Sequence, residues 1–268
     1  MGGFSGTVNK GTVFRMNTTK HIGIIVALPE ERVALVKKLQ KVQRRSVEGV
    51  PFYTGTLGGR LISVVEGGMG TAAASRAARL LFAENKPNLL LSAGFCGAIR
   101  PGVRVADLVI CKRLYQDDGS GLHEVRLPGS DLIAGRLSAE LQSKGLRTWQ
   151  GSFITTGQIV TKATLAATLP EDMPVPVLEM ESAAIAQAAT AAGIAFLGLR
   201  AISDDAAEEL DFTLDELTDK QLRISIPRVL LACLKKPRII PQLARLAGNS
   251  GKAGKNLGTA LQQIIQLL

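Results

Sequence analysis

The stretch VLEMESAAIAQAAT, Val177 to Thr190, sets Glu179 and Glu181 on either side of Met180 in a line that is otherwise apolar. Burying a carboxylate costs several kcal/mol unless a partner offsets it, so two acids entering a core imply a task. If Leu178–Glu181 is extended, both acids face one way and Met180 the other. A carboxylate can accept two hydrogen bonds from vicinal hydroxyls, the pattern of a ribose 2′,3′-diol, and a methionine adapts to the irregular face of a sugar. The alternative is that the acids cap the next helix, whose dipole favours negative charge at its N-terminus; spacing alone favours capping for at least one of them.

Three further polar groups stand where apolar runs end. Glu31 lies in ALPEER after the first run, beside Glu30, and either acid can be an exposed residue of a helix start. Gly67, Gly68, Met69 and Gly70 follow LISVVE, and glycine lets backbone approach a ligand closely. Ser203, Asp204 and Asp205 follow FLGLRAI, a pattern that also serves as a helix cap. In open α/β sheets, sites form where strands end, so these groups, far apart in sequence, are candidates to converge.

The elements that must position them alternate. HIGIIVA is a buried strand and PEERVALVKKLQKV a helix with Pro29 near its start. PFYTGTLGGRLISVVEGG is a hairpin turning at Gly58-Gly59, and TAAASRAARLLFAEN a helix. PNLLLSAG and VADLVICKR are strands, followed after a polar stretch by a helix near Asp131–Lys144 and strands at Gly151–Thr156 and Val175–Leu178. The helix after Glu181, the strand IAFLGLRAIS and a final helical region complete the chain. This predicts an α/β fold with a mixed, mainly parallel central sheet flanked by helices, as a single domain with a basic C-terminal helical extension. The expected division is a flexible leader over 1–20, a catalytic domain over 21–228 and the extension over 229–268.

Composition bounds the function. The 268 residues are 46% apolar and suffice for a sizeable core, while aromatics at 4% argue against a stacking platform for single-stranded nucleic acid. Cys96, Cys111 and Cys233 fit a reducing cytosol better than a disulfide framework, and with only His21 and His123 beside them they offer no zinc cluster. No metal and no organic cofactor is expected. No apolar run approaches the roughly 20 residues that cross a bilayer. The net charge of +9 is uneven: Lys220, Arg223, Arg228, Lys235, Lys236, Arg238, Arg245, Lys252 and Lys255 stand in a tail without a single acid.

Taken in order, IGIIVALPEE, VVEGGMGTAAAS, LLLSAGFCGAIRPGVRVADLVI, VLEMESAAIA and LRAISDDA resemble the nucleoside phosphorylase/nucleosidase superfamily, over roughly Ile22 to Asp205. Within it the chain is most similar to the 5′-methylthioadenosine/S-adenosylhomocysteine nucleosidase branch. The resemblance implies that Glu31 activates the attacking water and that Asp204, with Ser203 beside it, serves the purine N7. It implies that Met180 and Glu181 contact the ribose, with Glu179 at the edge of the site, and that the Gly68–Met69 turn approaches the sugar or an anion. Hydrolysis of a 5′-substituted adenosine to release adenine is the implied reaction.

The chain departs from the superfamily in ways that bear on the reaction. Phosphorylases carry a GDPxR-type turn where this chain has ALPEER, and an RVGSCGA-like segment where it has SAGFCGA, so Ser92 and Phe95 replace an arginine and a serine that bind phosphate. Water is therefore the expected nucleophile, with Arg32 and Arg100 as cations able to serve phosphate instead. The alternatives are a purine nucleoside phosphorylase and the hopanoid-associated relative that acts on a 5′-lipid adenosine. The branch usually has a small or hydroxyl residue at Phe95 and an aromatic near Val160 and Thr161, where this chain has no ring.

The expected partners are a small-molecule nucleoside and a second copy of the chain, a dimer foremost, without nucleic acid. A cytoplasmic location is expected. For the tail there are two readings. Leu230, Leu231, Leu234, Ile239, Ile240, Leu243 and Leu246 can form an apolar face that lies on an anionic membrane, or one that packs on the body or a second subunit. The core-like LLACL favours packing.

Overall fold

Residues His21–Val26 are buried without exception and form β1, the strand from which the sheet grows in both directions. The computed structural model describes residues 20–129, 131–157, 160–206, 214–218 and 226–268, so the expected leader lies outside the described residues except for Lys20. β1 pairs in parallel with β4 (Arg60–Glu66) on one side and β5 (Leu89–Ala98) on the other. β5 also pairs in parallel with β10 (Ala195–Asp204), and beyond residue 96 it meets β9 (Pro176–Glu179) antiparallel. Parallel pairing continues from β6 (Leu108–Asp117) to β8 (Thr148–Thr156) to β9, and β6 joins β10 antiparallel. The path β10-β6-β8-β9-β5 thus closes back on β10, with β5 at the junction of the closed and open parts. β7 (Leu122–Glu124) adds a short edge on β6.

The open edge differs from expectation. The first helix, α1, spans only Pro29–Val36, and Gln40–Val47 is an exposed strand, β2, paired antiparallel with β3 (Val50–Leu57). The residues QKVQRRSV lack the alternation that marks a half-buried strand, because all but Val47 are exposed; the cations suit an unprotected edge. The turn Glu48-Gly49 has φ of 49° and 79°, and Gly58-Gly59, which joins β3 to β4, has 58° and 77°. Two successive positive φ values match the twist of a two-residue hairpin, as the Gly58-Gly59 reading anticipates.

Helices cover both faces. α2 (Thr71–Asn85) and α5 (Ser182–Ala192) bury their alanines against the even-numbered side of β5. α1, α3 (Asp131–Ser143) and α8 (Ile240–Leu267) enclose the other side, together with Leu89, Leu91 and Ala93. α4 (Lys162–Thr168) sits over Ile99 and Ile154, and α6 (Leu214–Leu217) meets α7 (Ile226–Lys235).

The tail packs on the body in some segments and is exposed in others. In α8 Leu257, Leu261, Ile264 and Ile265 join the main core. Ile239, Leu243 and Leu246 close a smaller cluster with Leu217, Val229, Ala232 and Cys233. Leu231, Leu234 and Ile240 instead point outward, 50%, 80% and 50% exposed. The expected boundary at residue 228 falls inside α7. Among the described residues no helix is long and apolar enough to cross a membrane.

Candidate active site

β1, β4, β5 and β10 run in the same direction, so their C-terminal ends share one edge of the sheet. Glu31 is the third residue of α1, directly after β1, and its side chain folds back over the helix start. Glu31 Oε2 accepts the N–H groups of Ala27 (2.8 Å) and Leu28 (2.9 Å), and Oε1 accepts Phe95 N–H (2.7 Å). It is buried, whereas Glu30 is exposed, so the surface-acid reading belongs to Glu30 alone. Burial pushes the Glu31 carboxyl above its ordinary range, against the pull of Arg200 and the three backbone donors.

Arg200, which sequence reasoning missed, is the cation of this cluster. It lies in the middle of β10 with 1% exposure, and donates through Nη2 to Glu179 Oε2, to Glu181 Oε2 (3.3 Å), to Ser182 Oγ (3.0 Å) and to Ser92 Oγ (3.2 Å). Burial opposes its charge, but Glu179, Glu181 and Glu31 outweigh that and raise its pKa. The signal available in the sequence was one arginine inside an apolar strand, the counterpart that two buried glutamates require.

The two glutamates of the opening motif separate in role. Glu179 Oε2 accepts the N–H groups of Glu181 (3.0 Å) and Ser182 (2.8 Å), and Oε1 accepts the Thr155 hydroxyl, so Glu179 caps α5 while pairing with Arg200. Glu181 instead reaches across to the glycine turn, where Oε1 accepts Gly70 N–H at 3.0 Å. Gly68 and Gly70 hold φ of 93° and 89°, a conformation that aims the turn's backbone at the acid. Desolvation raises the Glu181 carboxyl to about 7, with Glu179 and Glu31 adding to the rise and Arg200 opposing it.

A second group of polar side chains lies further along the same edge. Asp204, at the end of β10, accepts Ser203 Oγ–H on Oδ1 (2.7 Å) and forms an ion pair with Lys162 through Oδ2. Lys162 Nζ also donates to the Asp205 carbonyl at 2.7 Å. Both groups are admitted by glycines of SAGFCGA. A Cβ on Gly94 would collide with Arg200 Nη1 and lie 2.6 Å from Glu31 Oε1; one on Gly97 would lie 2.6 Å from Asp204 Oδ2 and 3.0 Å from Lys162 Cε. Three residue steps of strand separate the two glycines, about 10 Å at the usual rise.

The remaining expected residues fall in several places. Met69 and Met180 are half-buried beside Gly70 and Glu181 in the chain. Phe95 contributes its N–H to Glu31 but turns its ring toward α8, with Cζ 3.6 Å from where a Cβ on Gly254 would stand. Val160 packs on the cluster of Ile99, Ile154 and Leu165. The two expected cations are engaged elsewhere. Arg32 pairs with Glu66 (2.6 Å) and stands over the Tyr53 ring, and Arg100 donates to the carbonyls of Leu169, Pro170 and Glu171. Burial raises the Cys96 thiol well above its ordinary range, which suits a packing residue. Among the described residues no group of His, Cys, Asp and Glu is arranged to hold a metal ion.

The fold and this edge define an α/β protein with carboxylates gathered at the ends of parallel strands. The chain belongs to the phosphorylase superfamily, whose family model matches residues 21–235. Solved structures share the fold across almost their whole length. The 5′-methylthioadenosine/S-adenosylhomocysteine nucleosidase of Streptococcus pneumoniae is 22% identical with a TM-score of 0.68, covering 92% of this chain and 99% of that one. The S-adenosylhomocysteine nucleosidase of Streptococcus pyogenes is 22% identical with a TM-score of 0.71, covering 94% and 98%. The futalosine hydrolase of Helicobacter pylori is 15% identical with a TM-score of 0.70, covering 94% and 100%.

Proposed function

We propose that the protein hydrolyses the N-glycosidic bond of a 5′-substituted adenosine and releases adenine. The observation that carries the hydrolytic reading is the charge around Arg200: one guanidinium lies among Glu31, Glu179 and Glu181. A phosphate entering there would meet carboxylates around an arginine already paired. A water suits the place better, held between Glu31 and Arg200. The C–N bond breaks through an oxocarbenium-like state, which the surrounding acids favour electrostatically. Glu31 takes the water's proton, and its raised pKa makes it a stronger base than an exposed glutamate. Glu181, with Met180 beside it, takes the ribose diol, and Asp204 serves the leaving purine at N7. Fold likeness to nucleosidases and to futalosine hydrolase supports the reading at the level of scaffold.

Adenine release from 5′-methylthioadenosine, followed by absorbance, tests it. Glu31→Gln and Asp204→Asn are each expected to lower kcat about 10²- to 10⁴-fold, measured at a temperature where each variant is folded. Near-normal turnover in either variant removes that residue from the mechanism.

For the outward face of α7 and the start of α8 we propose contact with an anionic membrane surface. Leu231, Leu234 and Ile240 are exposed beside the exposed Lys235 and Arg238, in a tail that carries no acid after Asp219. Each basic residue near such a surface adds about 1 kcal/mol. Co-sedimentation should show binding to vesicles containing phosphatidylserine but not to phosphatidylcholine alone, and Leu231→Ser with Leu234→Ser should abolish it. Lack of binding, or a dimer in solution that the double variant dissociates, would overturn the proposal, the latter in favour of a second copy.

A further inference from the structure

Lys162 is the group at this edge that the proposed reaction leaves without a task. It is a lysine at the first position of α4, with 5% exposure. A cation there is disfavoured twice, by desolvation and by the positive end of the helix dipole. It nevertheless places its ammonium against Asp204 Oδ2 and the Asp205 carbonyl, and its Cε beside Gly97, whose missing side chain leaves that space open. The carboxylate expected to serve the purine N7 is therefore already in an ion pair. It accepts hydrogen bonds from both Ser203 and Lys162, and the proton a leaving purine needs is carried by the lysine.

We propose that Lys162 is the proton source for the leaving base, acting through Asp204. This rests on the nucleoside-hydrolysing reading above. As the C1′–N9 bond breaks, its electron pair passes into the purine. N7 takes a proton from Asp204, which takes one from Lys162, leaving a neutral amine. Water forms the new C1′–O bond and gives a proton to Glu31. Solvent then reprotonates Lys162 and removes the proton from Glu31, so the sum is addition of one water across the bond. An ammonium stays protonated at pH values where an isolated carboxyl has ionised, so this pairing carries a usable proton through neutrality and above.

Two substitutions separate proton supply from charge pairing. Lys162→Met removes both, while Lys162→Arg keeps the positive charge but does not release a proton in this range. The kcat for 5′-methylthioadenosine should be measured from pH 5 to pH 9, with KM and the thermal midpoint alongside. At pH 8 both variants are expected to lose about 10²-fold in kcat relative to the wild type. In Lys162→Met the loss should shrink toward pH 5, where solvent supplies protons more readily. Equal kcat profiles in wild type and Lys162→Met, or full recovery at pH 8 in Lys162→Arg, would overturn the proposal, the second by reducing Lys162 to a counter-charge. A calorimetric arm stands apart from turnover. At pH 8 the affinity for adenine should fall about tenfold in Lys162→Met and return in Lys162→Arg, while 7-deazaadenine, which lacks N7, binds all three alike. If the wild type releases no adenine but shows this pattern, the reaction is misassigned and the placing of Lys162 at the base survives. If the wild type turns over normally and Lys162→Met binds adenine as tightly, the placing fails and the reaction stands.

Discussion

Glu31, Glu179, Glu181 and Arg200 form one buried network in which each charge is held by named partners, and that makes the network sensitive to pH. The Glu181 carboxyl stands at about 7 in the folded chain against an ordinary value of 4.5. Between those values the folded protein holds a proton that the unfolded chain has released, so stability falls as pH rises through the window and the loss is complete above about 7. Glu31, also raised, acts in the same direction. The thermal midpoint of the unliganded protein is expected to fall from pH 5 to pH 8, and Glu181→Gln to flatten that fall; an unchanged slope in the variant would detach Glu181 from it. Glu31, Glu181 and Asp204 were legible because each ends an apolar run inside a motif. Arg200 and Lys162 were not, because each is one cation whose partners lie more than fifteen residues away in the chain. A buried carboxylate needs an opposite charge, and Arg200, alone in the next apolar strand, is the cation that meets that need.

At the scale of elements, α8 reaches the site through α1. A Cβ on Gly258 would stand 2.8 Å from Ala34 Cβ and 2.9 Å from backbone atoms of Ala34, so the two helices touch with no room for a side chain. α1 carries Glu31, and Gly254 lies over Glu30 and Phe95, whose N–H binds Glu31. Gly258→Leu is expected to cost about 1–3 kcal/mol by overpacking and to lower kcat by displacing α1. A stable, fully active variant would show that the contact yields freely. The α8 leucines were visible as an apolar pattern, but whether they met the body, a membrane or another subunit depended on tertiary packing that periodicity does not encode. β2 escaped for the opposite reason: QKVQRRSV is exposed in every residue but Val47 and has no pattern to read. The neighbouring Glu48-Gly49 turn was its one local mark.

For the whole molecule, the neutral body and the basic tail divide the charge between two regions with different neighbours. The site edge belongs to the body, where acids outnumber the one arginine among them, while the tail, which holds the basic excess, exposes Leu231 and Leu234 on α7. The alternation of strands and helices was legible from hydrophobic runs. The closure of β10-β6-β8-β9-β5 was not, since pairing between distant strands leaves no local trace. The central claim is that water, not phosphate, attacks the sugar. It is tested by incubating the wild type with 5′-methylthioadenosine in phosphate-free buffer and again with phosphate, then separating free 5-methylthioribose from its 1-phosphate. The account predicts equal rates and free sugar in both; a strict need for phosphate, with sugar 1-phosphate as product, would contradict it.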